Sequence, residues 1–317
     1  MGERLPHDTI ETRIGSLDII DHHGVAWAKV RKTAYLIHQR LHYAYPGEIH
    51  DLRQRLMIVP PERYGDQRLV TDKLEVSSPS YEIERAEDDF GNRILSLFIA
   101  HVEREITFTA WIVVERDATA DPATVPISGR VVREPPLRNV FLESTVLTMP
   151  DDALRVVAAT LQAEGGDDVA LAERINLWVH GAMSYAYGST GVRTPAAEAL
   201  ATSHGVCQDY AHIMLVLCRL CGLPARYVSG HLLGEGGTHA WVEVLLPDPV
   251  DARRLIAHPF DPTNGCIPGL KYITVAVGRD YRDVAPTSGT FRAPYAGRLS
   301  AHKRANVTAL EYFSEGN

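Results

Sequence analysis

The sequence is poor in cysteine, and it lacks both a long apolar run and a dense run of basic residues. Its 317 residues include 4 cysteines, too few for a disulfide framework, so we expect free thiols. No apolar stretch reaches the length of a membrane span, so no membrane partner is expected. The first residues lack the charged and then apolar layout of a secretory signal. The cytoplasm is the simplest compartment for such a chain.

The charge balance argues against nucleic acid as a partner. The chain carries 32 basic and 40 acidic residues, a formal net charge of −8. Sequence-independent binding to nucleic acid needs a positive surface that replaces counterions. Hydrophobic residues make up 45% of the chain, which is typical of a globular protein with a sizeable core. Composition and charge thus do not identify the function, which has to be inferred from individual motifs.

The first half of the chain is predicted to form an antiparallel β domain at residues 31–135. Segments such as "KTAYLIHQRL" (32–41) alternate apolar and polar residues, as half-buried strands do. "DDFGN" (88–92) is a turn signal between two such segments. Strands that follow one another without helices favour an antiparallel sheet or sandwich. Residues 1–30 are assigned to an N-terminal extension, and the aperiodic stretch from about 117 to 140 is assigned to a linker.

The second half of the chain, residues 136–317, has the order of an α+β domain, with helices first and strands after. The segment "DDVALAERINLWVHGAMSYAY" has helical spacing that places Ile175 and Val179 on one face. After "GLP", which ends a later helix, the segments "ARYVSGHLL", "HAWVEVLL" and "RLIAHPFD" are typical of strands. The sequence therefore predicts an α+β protein with a β-rich first half.

Cys207 lies where a buried helix is predicted to begin. Apolar residues at Ile213, Met214 and Leu217 define the buried side of this helix. A helix N-terminus carries partial positive charge and unpaired N–H groups, which stabilise a thiolate and can hold an oxyanion. Packing of a small apolar residue in the core is the alternative interpretation of Cys207.

Cys218 and Cys221 form a C-x-x-C motif further along the same helix. Such spacing occurs in redox motifs and in half of a zinc site. Because no second pair of Cys or His has the matching spacing, we predict that both thiols pack in the core. Cys266 is predicted to lie in a loop. No metal and no other cofactor is expected, since the chain has no EF-hand spacing or dense carboxylate loop.

A thiolate nucleophile needs a base, which is normally a histidine, and the histidine needs an orienting group. His239 starts one predicted strand, Asp261 ends the next, and the turn-rich "PDPVDAR" links them. A hairpin that folds about position 250 would place His239 opposite Asp261, with cross-strand Cβ atoms within about 5.5 Å of each other. The predicted hairpin therefore supplies a base and its orienting carboxylate at one end.

Three blocks in this order resemble the signature of the bacterial transglutaminase-like superfamily, whose catalytic logic is papain-like. The blocks are "GVCQDYAHIMLVLCRLCGLPARYVSG" (205–230), "HAWVEVLLP" (239–247) and "FDPTNG" (260–265). Residues 185–200 and 272–291 are similar to the segments that flank these blocks in the family. The resemblance implies a core in which the nucleophile helix packs on an antiparallel sheet.

The region from about 33 to 115 is similar to the accessory N-terminal domain that often precedes this core in bacteria. The resemblance therefore extends over nearly the whole chain, except for the first thirty residues and the tail. Each block alone is weak evidence, whereas the three blocks in order are highly specific.

The resemblance implies Cys207 as the nucleophile, His239 as general base and acid, and Asp261 as the group that orients His239. Thiolate attack on an acyl carbonyl would form a thioester, which water or an amine would resolve. The backbone N–H of Cys207 is the first oxyanion donor we expect, and Tyr185 is the candidate for the second. Core packing in an amphipathic helix is the alternative interpretation of Tyr185.

Several neighbours of these residues are candidates for supporting roles. Gln208 and Asp209 are expected to tie the helix start to nearby backbone. Trp241 shares a strand face with His239 and is expected either to shield the imidazole or to pack as ordinary core. Arg279 and Asp280 lie in a segment that resembles the family, with no role that the residues themselves define.

The first hypothesis is a thiol hydrolase that acts on peptide or isopeptide bonds of a peptide or protein substrate. The second is acyl transfer to an amine, which differs only in whether water or an amine reaches the thioester. A non-catalytic binding module is the third, and the intact Cys207, His239 and Asp261 set argues against it. A metal site built on Cys207 and His239 is the fourth, and it predicts stoichiometric zinc.

Overall fold

The computed structural model describes residues 19–126, 137–251 and 253–314. Within these ranges the chain forms sixteen strands and six α-helices. The strands are β1 (Val30–Ala44), β2 (Ile49–Leu56), β3 (Arg63–Tyr64), β4 (Gln67–Val76), β5 (Glu82–Glu87), β6 (Arg93–Val102), β7 (Glu105–Asp117), β8 (Thr124–Pro126), β9 (Ser184–Tyr185), β10 (His204–Gly205), β11 (Ala225–Leu232), β12 (His239–Pro247), β13 (Arg254–Phe260), β14 (Tyr272–Gly278), β15 (Thr287–Arg292) and β16 (Arg298–Tyr312). The α-helices are α1 (Leu137–Val140), α2 (Asp152–Ala163), α3 (Asp168–Ala182), α4 (Ala196–Thr202), α5 (Cys207–Leu220) and α6 (Tyr281–Val284). Short 3-10 helices lie at His22–Gly24, Trp27–Lys29 and Val146–Thr148.

Two antiparallel sheets of the first half pack face to face as a sandwich. One sheet has the strand order β16-β1-β7-β4-β3 and the other has the order β15-β2-β6-β5. Strand β7 illustrates why the sheets pack face to face, because every second residue points to the same side of a strand. The residues that β7 buries in this way are Ile106, Phe108, Ala110, Ile112 and Val114. These side chains lie in the core between the two sheets. The prediction of an antiparallel β-rich first half is confirmed.

The last two strands of the chain return to this sandwich. Strand β16 pairs with β1 along nearly its whole length, and β15 pairs with β2. The expectation that all of residues 136–317 belongs to the second half is therefore wrong for β15 and β16. The other predicted boundaries stay predictions. Residues 1–18 of the predicted extension and 127–136 of the predicted linker lie outside the described residues.

The second half is built on a five-stranded antiparallel sheet with the order β14-β11-β12-β13-β8. Its outermost strand, β8, comes from the stretch that was predicted to be a linker, so that part of the prediction is wrong. Short apolar strands such as β11, which is buried along almost its whole length, are covered on both faces. No described helix is long and apolar enough to cross a membrane.

Helix α5 is the central element of the second core. It carries apolar residues around most of its circumference, and Ile213, Met214 and Leu217 are fully buried. It packs against the sheet on one side and against α2, α3 and α4 on the other. Near its end, the buried Arg219 donates to the carbonyl oxygens of Phe141, Ala225 and Arg279 and to the Thr148 hydroxyl. These bonds fix the helix relative to four other segments.

The sandwich completes the edge of the second sheet through two side-chain amides. Gln67 Nε2 donates to the Thr274 carbonyl oxygen at 2.8 Å, and the Thr274 N–H donates back to Gln67 Oε1 at 2.9 Å. Asn92 makes the same pair of bonds to Val277, at 2.7 and 2.8 Å. Both amides therefore take the place of a neighbouring strand on the free edge of β14, which would otherwise leave its backbone groups unpaired.

We expect Gln67→Met to lower the free energy of unfolding by about 1–3 kcal/mol, since it leaves the buried N–H and carbonyl groups of Thr274 unpaired. Chemical denaturation with urea measures this change. The control is Arg68→Met, which removes an exposed ion pair with Glu115 on the same strand and is expected to cost about 0–1 kcal/mol. Equal losses in the two variants would show that the amide does not stabilise the edge.

Candidate active site

Cys207 is the first residue of α5, and its thiol is partly exposed. Asp209 secures this helix start, because its Oδ2 accepts from the Val206 N–H at 2.8 Å and from Thr190 Oγ1 at 2.5 Å. The first N–H groups of a helix have no partner inside it, so they are free to face a group bound at the thiol. The expectation that Asp209 ties the helix start to nearby backbone matches these contacts.

Gly205 allows the Asp209 side chain to lie under the helix start. A Cβ atom at Gly205 would lie 2.7 Å from both Cβ and Oδ2 of Asp209, which is closer than atoms can approach. Asp209 is fully buried, and burial raises the pKa of its carboxyl group. The buried Asp209 carboxylate therefore requires a glycine at position 205, two residues before Cys207.

His239 is the first residue of β12 and lies beside the thiol. The carbonyl oxygen of Thr238, the residue before it, is 3.9 Å from Cys207 Sγ, and Cys207 is one of the groups that raise the pKa of the imidazole. The Nε2 atom of His239 lies 2.8 Å from Asp261 Oδ2, and both side chains are buried. The structure therefore brings the three predicted residues together in the order thiol, imidazole, carboxylate.

The register of the β12–β13 hairpin differs from the predicted one by two residues. Val242 pairs with Phe260, which places Asp261 level with Trp241 and not with His239. A shift of two residues keeps every side chain on its original face, whereas a shift of one would have reversed them. His239 and Asp261 consequently meet as diagonal neighbours, which long side chains can bridge.

Asp261 is held ionised by a dense set of donors. Its Oδ2 accepts from the Tyr272 hydroxyl and from Asn264 Nδ2, both at 2.7 Å, in addition to His239. Its Oδ1 accepts from the Thr263 N–H at 2.9 Å. Burial acts to raise the pKa of this carboxyl group, but the hydrogen bonds outweigh burial and lower the pKa. Asp261 is therefore a fixed negative charge.

The surroundings of His239 favour its protonated form. Burial alone would lower the pKa of this imidazole, but the neighbouring Asp261, Cys207 and Glu235 raise it to about 12. Trp241 stacks beside the ring, with centroids 6.2 Å apart and an angle of 26° between the planes. Trp241 is also fully buried, so it shields the imidazole and packs as core at the same time.

Glu235 is a member of the site that the sequence reasoning missed. Its Oε2 lies 3.2 Å from His239 Nδ1, and 44% of its side chain is exposed. It belongs to the Gly-rich loop "LGEGGTH" (233–239), which precedes and includes His239. An acidic residue among glycines, four positions before the candidate base, is the signal that could have identified it. Glu235 occupies the ring nitrogen that Asp261 leaves open.

Tyr185 stands beside the helix start, held by a short parallel pairing of β9 with β10 that places it next to Gly205. Its side chain is 58% exposed, so the alternative of core packing in a helix is wrong. Burial and the nearby charges of Cys207 and Glu235 raise the pKa of its hydroxyl, which therefore keeps its proton. Its position is compatible with a donor at the thiol.

The remaining predicted residues, Gln208, Arg279 and Asp280, are buried or make local contacts that stabilise the fold. Gln208 is buried in the first turn of α5. Arg279 forms an ion pair with Asp283 at 2.8 Å, and Asp280 caps α6 by accepting from the Arg282 N–H at 2.7 Å. These contacts organise the turn after β14.

The other three thiols differ from Cys207 in exposure. Cys218 and Cys221 are buried in the core, and burial raises the pKa of both. Cys266 is exposed, and its Sγ lies 3.4 Å from the Tyr272 hydroxyl. The C-x-x-C spacing therefore reflects packing of α5, and Cys266 is the thiol that must be compared with Cys207 in any labelling experiment.

We expect Gly205→Ala to displace Asp209, to lower the free energy of unfolding by about 1–3 kcal/mol and to slow alkylation of Cys207. Thermal or urea unfolding and mass spectrometry after iodoacetamide treatment measure the two effects. The control is Gly181→Ala, where a Cβ meets no atom within 4 Å and a helical alanine is favoured by up to about 1 kcal/mol. A Gly205→Ala protein with unchanged stability would contradict the steric argument.

We expect Glu235→Gln to lower the pKa of His239 from about 12, because it removes one negative charge from the ring. The stabilisation that comes from the raised pKa is complete below the ordinary value of 6.5 and is lost as pH rises toward about 12. The variant should therefore lose this proton, and the associated stability, at lower pH than the wild type. Histidine NMR titration measures the shift, with the exposed Glu198→Gln as control.

Comparisons with known proteins agree with the fold. The family model described as the transglutaminase-like superfamily matches residues 155–252, and that of the bacterial transglutaminase-like N-terminal region matches residues 35–115. An uncharacterized protein of Mycobacterium leprae is 30% identical over 253 residues, which cover 75% of this chain and 85% of the relative. An uncharacterized protein of Mycobacterium tuberculosis is 28% identical over 275 residues, covering 80% and 86%.

A solved structure shows the same fold over most of the chain. It is the crystal structure of a "Putative Cysteine Protease" from Cytophaga hutchinsonii, with a TM-score of 0.71 and 20% identity. The alignment covers 90% of this chain and 94% of that one. With both sequence regions matched and a close relative along most of its length, the chain belongs to the transglutaminase-like superfamily.

Proposed function

We propose that the protein is a cysteine-dependent enzyme that forms an acyl-enzyme at Cys207 from a peptide or isopeptide amide bond and then hydrolyses it. The observation that supports this most directly is the buried His239, whose Nε2 is bonded to Asp261 and which follows Thr238, the residue whose carbonyl oxygen lies 3.9 Å from Cys207 Sγ. A thiol, a base and an orienting carboxylate in this order are the parts that thiol acyl transfer requires.

The charges of the site favour a thiolate and an imidazolium in the resting enzyme. His239 keeps its proton because Asp261 is ionised beside it and Glu235 adds a second negative charge. The helix start adds partial positive charge at the sulfur. In this proposal Cys207 attacks as the thiolate, the form that a neighbouring imidazolium and a helix start stabilise.

The acylation step follows from these protonation states. The Cys207 sulfur attacks the amide carbon, and the carbonyl oxygen takes up the negative charge. The backbone N–H of Cys207 is the proposed first donor to this oxyanion, and the Tyr185 hydroxyl is the proposed second donor. The imidazolium of His239 then gives its proton to the leaving amine, which departs and leaves a thioester.

Deacylation reverses the role of the imidazole. Neutral His239 takes a proton from water, the resulting hydroxide attacks the thioester carbon, and the carboxylic acid departs as the thiolate re-forms. An amine in place of water would instead yield a new amide. The partner of the enzyme is accordingly a peptide or protein, and its cytoplasmic location stays a prediction.

We expect Cys207→Ala to abolish release of new carboxyl termini from denatured casein, and His239→Ala to lower it by at least about 10³-fold. Mass spectrometry of the products, with and without a labelled primary amine, measures hydrolysis and transfer separately. Cys266→Ala is the matched control, since it removes an exposed thiol outside the proposed chemistry.

Release of a free acid supports hydrolysis as the function. Incorporation of the labelled amine would instead support acyl transfer. The same proteins are treated with iodoacetamide. Faster alkylation of Cys207 than of Cys266, lost in His239→Ala, supports an activated thiolate. Equal rates at these two thiols and no product from casein would contradict the enzymatic proposal and favour a binding module.

A further inference from the structure

Lys303 is a basic residue on the inner face of the sandwich. In the pairing of β16 with β1 it lies opposite Gln39, two positions from the pair of Ala305 with Ile37. Alternate residues of a strand share a face, and Ile37 and Val307 are fully buried in the sandwich core. The Lys303 side chain is therefore directed inward. Its Nζ is buried and has no hydrogen-bond partner among the described residues.

His231 approaches the sandwich core from the second half of the protein, through its cross-strand neighbour Ile273. It lies on β11, it is 2% exposed, and both of its ring nitrogens are buried without a partner in the described part of the chain. Its cross-strand neighbour Ile273 and the nearby Leu233 both pack into the sandwich core. Burial first, and then the charge of Lys303, lower the pKa of His231, so the ring is neutral.

His231 lies next to the candidate active site, because Gly230 before it pairs with His239, and this register places His231 opposite Thr238, whose carbonyl oxygen is 3.9 Å from Cys207 Sγ. Burial lowers the pKa of Lys303 to about 7, while the charges of Cys207 and Glu235 act on the same ammonium and oppose that effect. Glu235 does not pair with Lys303, since its carboxylate contacts His239 Nδ1 instead. The Lys303 ammonium is therefore subject to the charges of Cys207 and Glu235, but it has no hydrogen bond to either residue.

Three buried polar atoms without partners at one place are costly. A buried donor or acceptor that lacks a hydrogen bond destabilises a protein, and native structures contain few of them. Lys303 offers up to three donors, and neutral His231 offers one N–H. A ligand with acceptor oxygens and a negative charge can satisfy the donors of both side chains. A carboxylate has both, and it is the anion that peptides carry.

We propose that Lys303 and His231 form an anion subsite beside Cys207, which holds a free carboxylate that the substrate carries close to the scissile bond. The inference rests on the proposed function, because it locates the carboxylate relative to the nucleophile. It identifies the substrates as peptides or isopeptides with either a terminal carboxylate or an acidic side chain next to the reacting amide. Contributions from both halves of the protein complete the subsite.

Alkylating reagents that differ only in the carboxylate test this subsite at Cys207. In each reagent the sulfur displaces iodide from an iodoacetyl carbon. One pair is N-iodoacetylglycine and N-iodoacetylglycinamide, which reports a terminal carboxylate. The other pair is the N-iodoacetyl derivatives of glutamic acid α-amide and glutamine α-amide, which reports a side-chain carboxylate. The quantity measured is the ratio of the rates for acid and amide, by mass spectrometry of the peptide that contains Cys207.

We expect at least one pair to favour the acid, and we expect Lys303→Met to lower that ratio by about tenfold, since a charge-assisted hydrogen bond is lost. Lys303→Arg should keep most of the preference. Lys271→Met is the charge-matched control, because Lys271 is exposed over the Trp27 ring, and its ratio should equal that of the wild type. The pair with the larger ratio identifies the source of the carboxylate.

The rate with the uncharged amide reagents tests the proposed function, and the ratio of acid to amide rates tests the subsite, so the two proposals can fail separately. A rate at Cys207 no greater than at Cys266 would count against an activated nucleophile, whereas the ratio can still be measured at whatever rate the thiol reacts. Ratios that are the same in the wild type and in Lys303→Met would overturn the subsite. A Lys303→Met protein that keeps the wild-type rate with the amide reagents shows that its site is folded.

Discussion

The hydrogen bond between His239 and Asp261 is the contact on which the site depends. Both side chains are buried, and a buried charge is stable only when it is paired and when its remaining hydrogen bonds are satisfied. Tyr272 and Asn264 satisfy Asp261, and Trp241 covers the imidazole. The whole arrangement requires the hairpin, the loop after it and the edge strand β14 to be in place together.

The sandwich of the first half contributes to the same arrangement from a distance. Gln67 and Asn92 complete the outer edge of β14, the strand that carries Tyr272. On the opposite face from the helices, Tyr64 reaches a buried ion pair between Arg226 and Glu243, with 2.7 Å between the charged atoms. The second half is therefore not a free-standing unit, because residues of the first half complete the edge of its sheet and bond to its buried ion pair.

Local patterns predicted those parts of the fold that local physics controls. The alternation in β7 and the apolar surface of α5 were readable, since each reports a period of the backbone against one buried face. The predicted hairpin register differs from the observed one by two residues. The turn sequence alone does not define the register. The alternation of side chains repeats every two residues, so it cannot distinguish registers that differ by two. The return of β15 and β16 to the first sheets had no local signal at all, since pairing across the chain is decided by which edge is free.

The sequence by itself determined the residues of the candidate site: a cysteine at a helix start, then a histidine and an aspartate at the ends of neighbouring strands. Each of these positions follows from local signals and from the order of three blocks. Only the tertiary structure decided that Glu235 shares the imidazole and that Lys303 and His231 lie buried near the thiol without a hydrogen-bond partner in the described part of the chain. Lys303 is 96 positions from Cys207 in the numbering of the chain, and only the packing of β16 on β1 brings it there. Burial and electrostatic environment are properties of the packed core, and no window of sequence contains them.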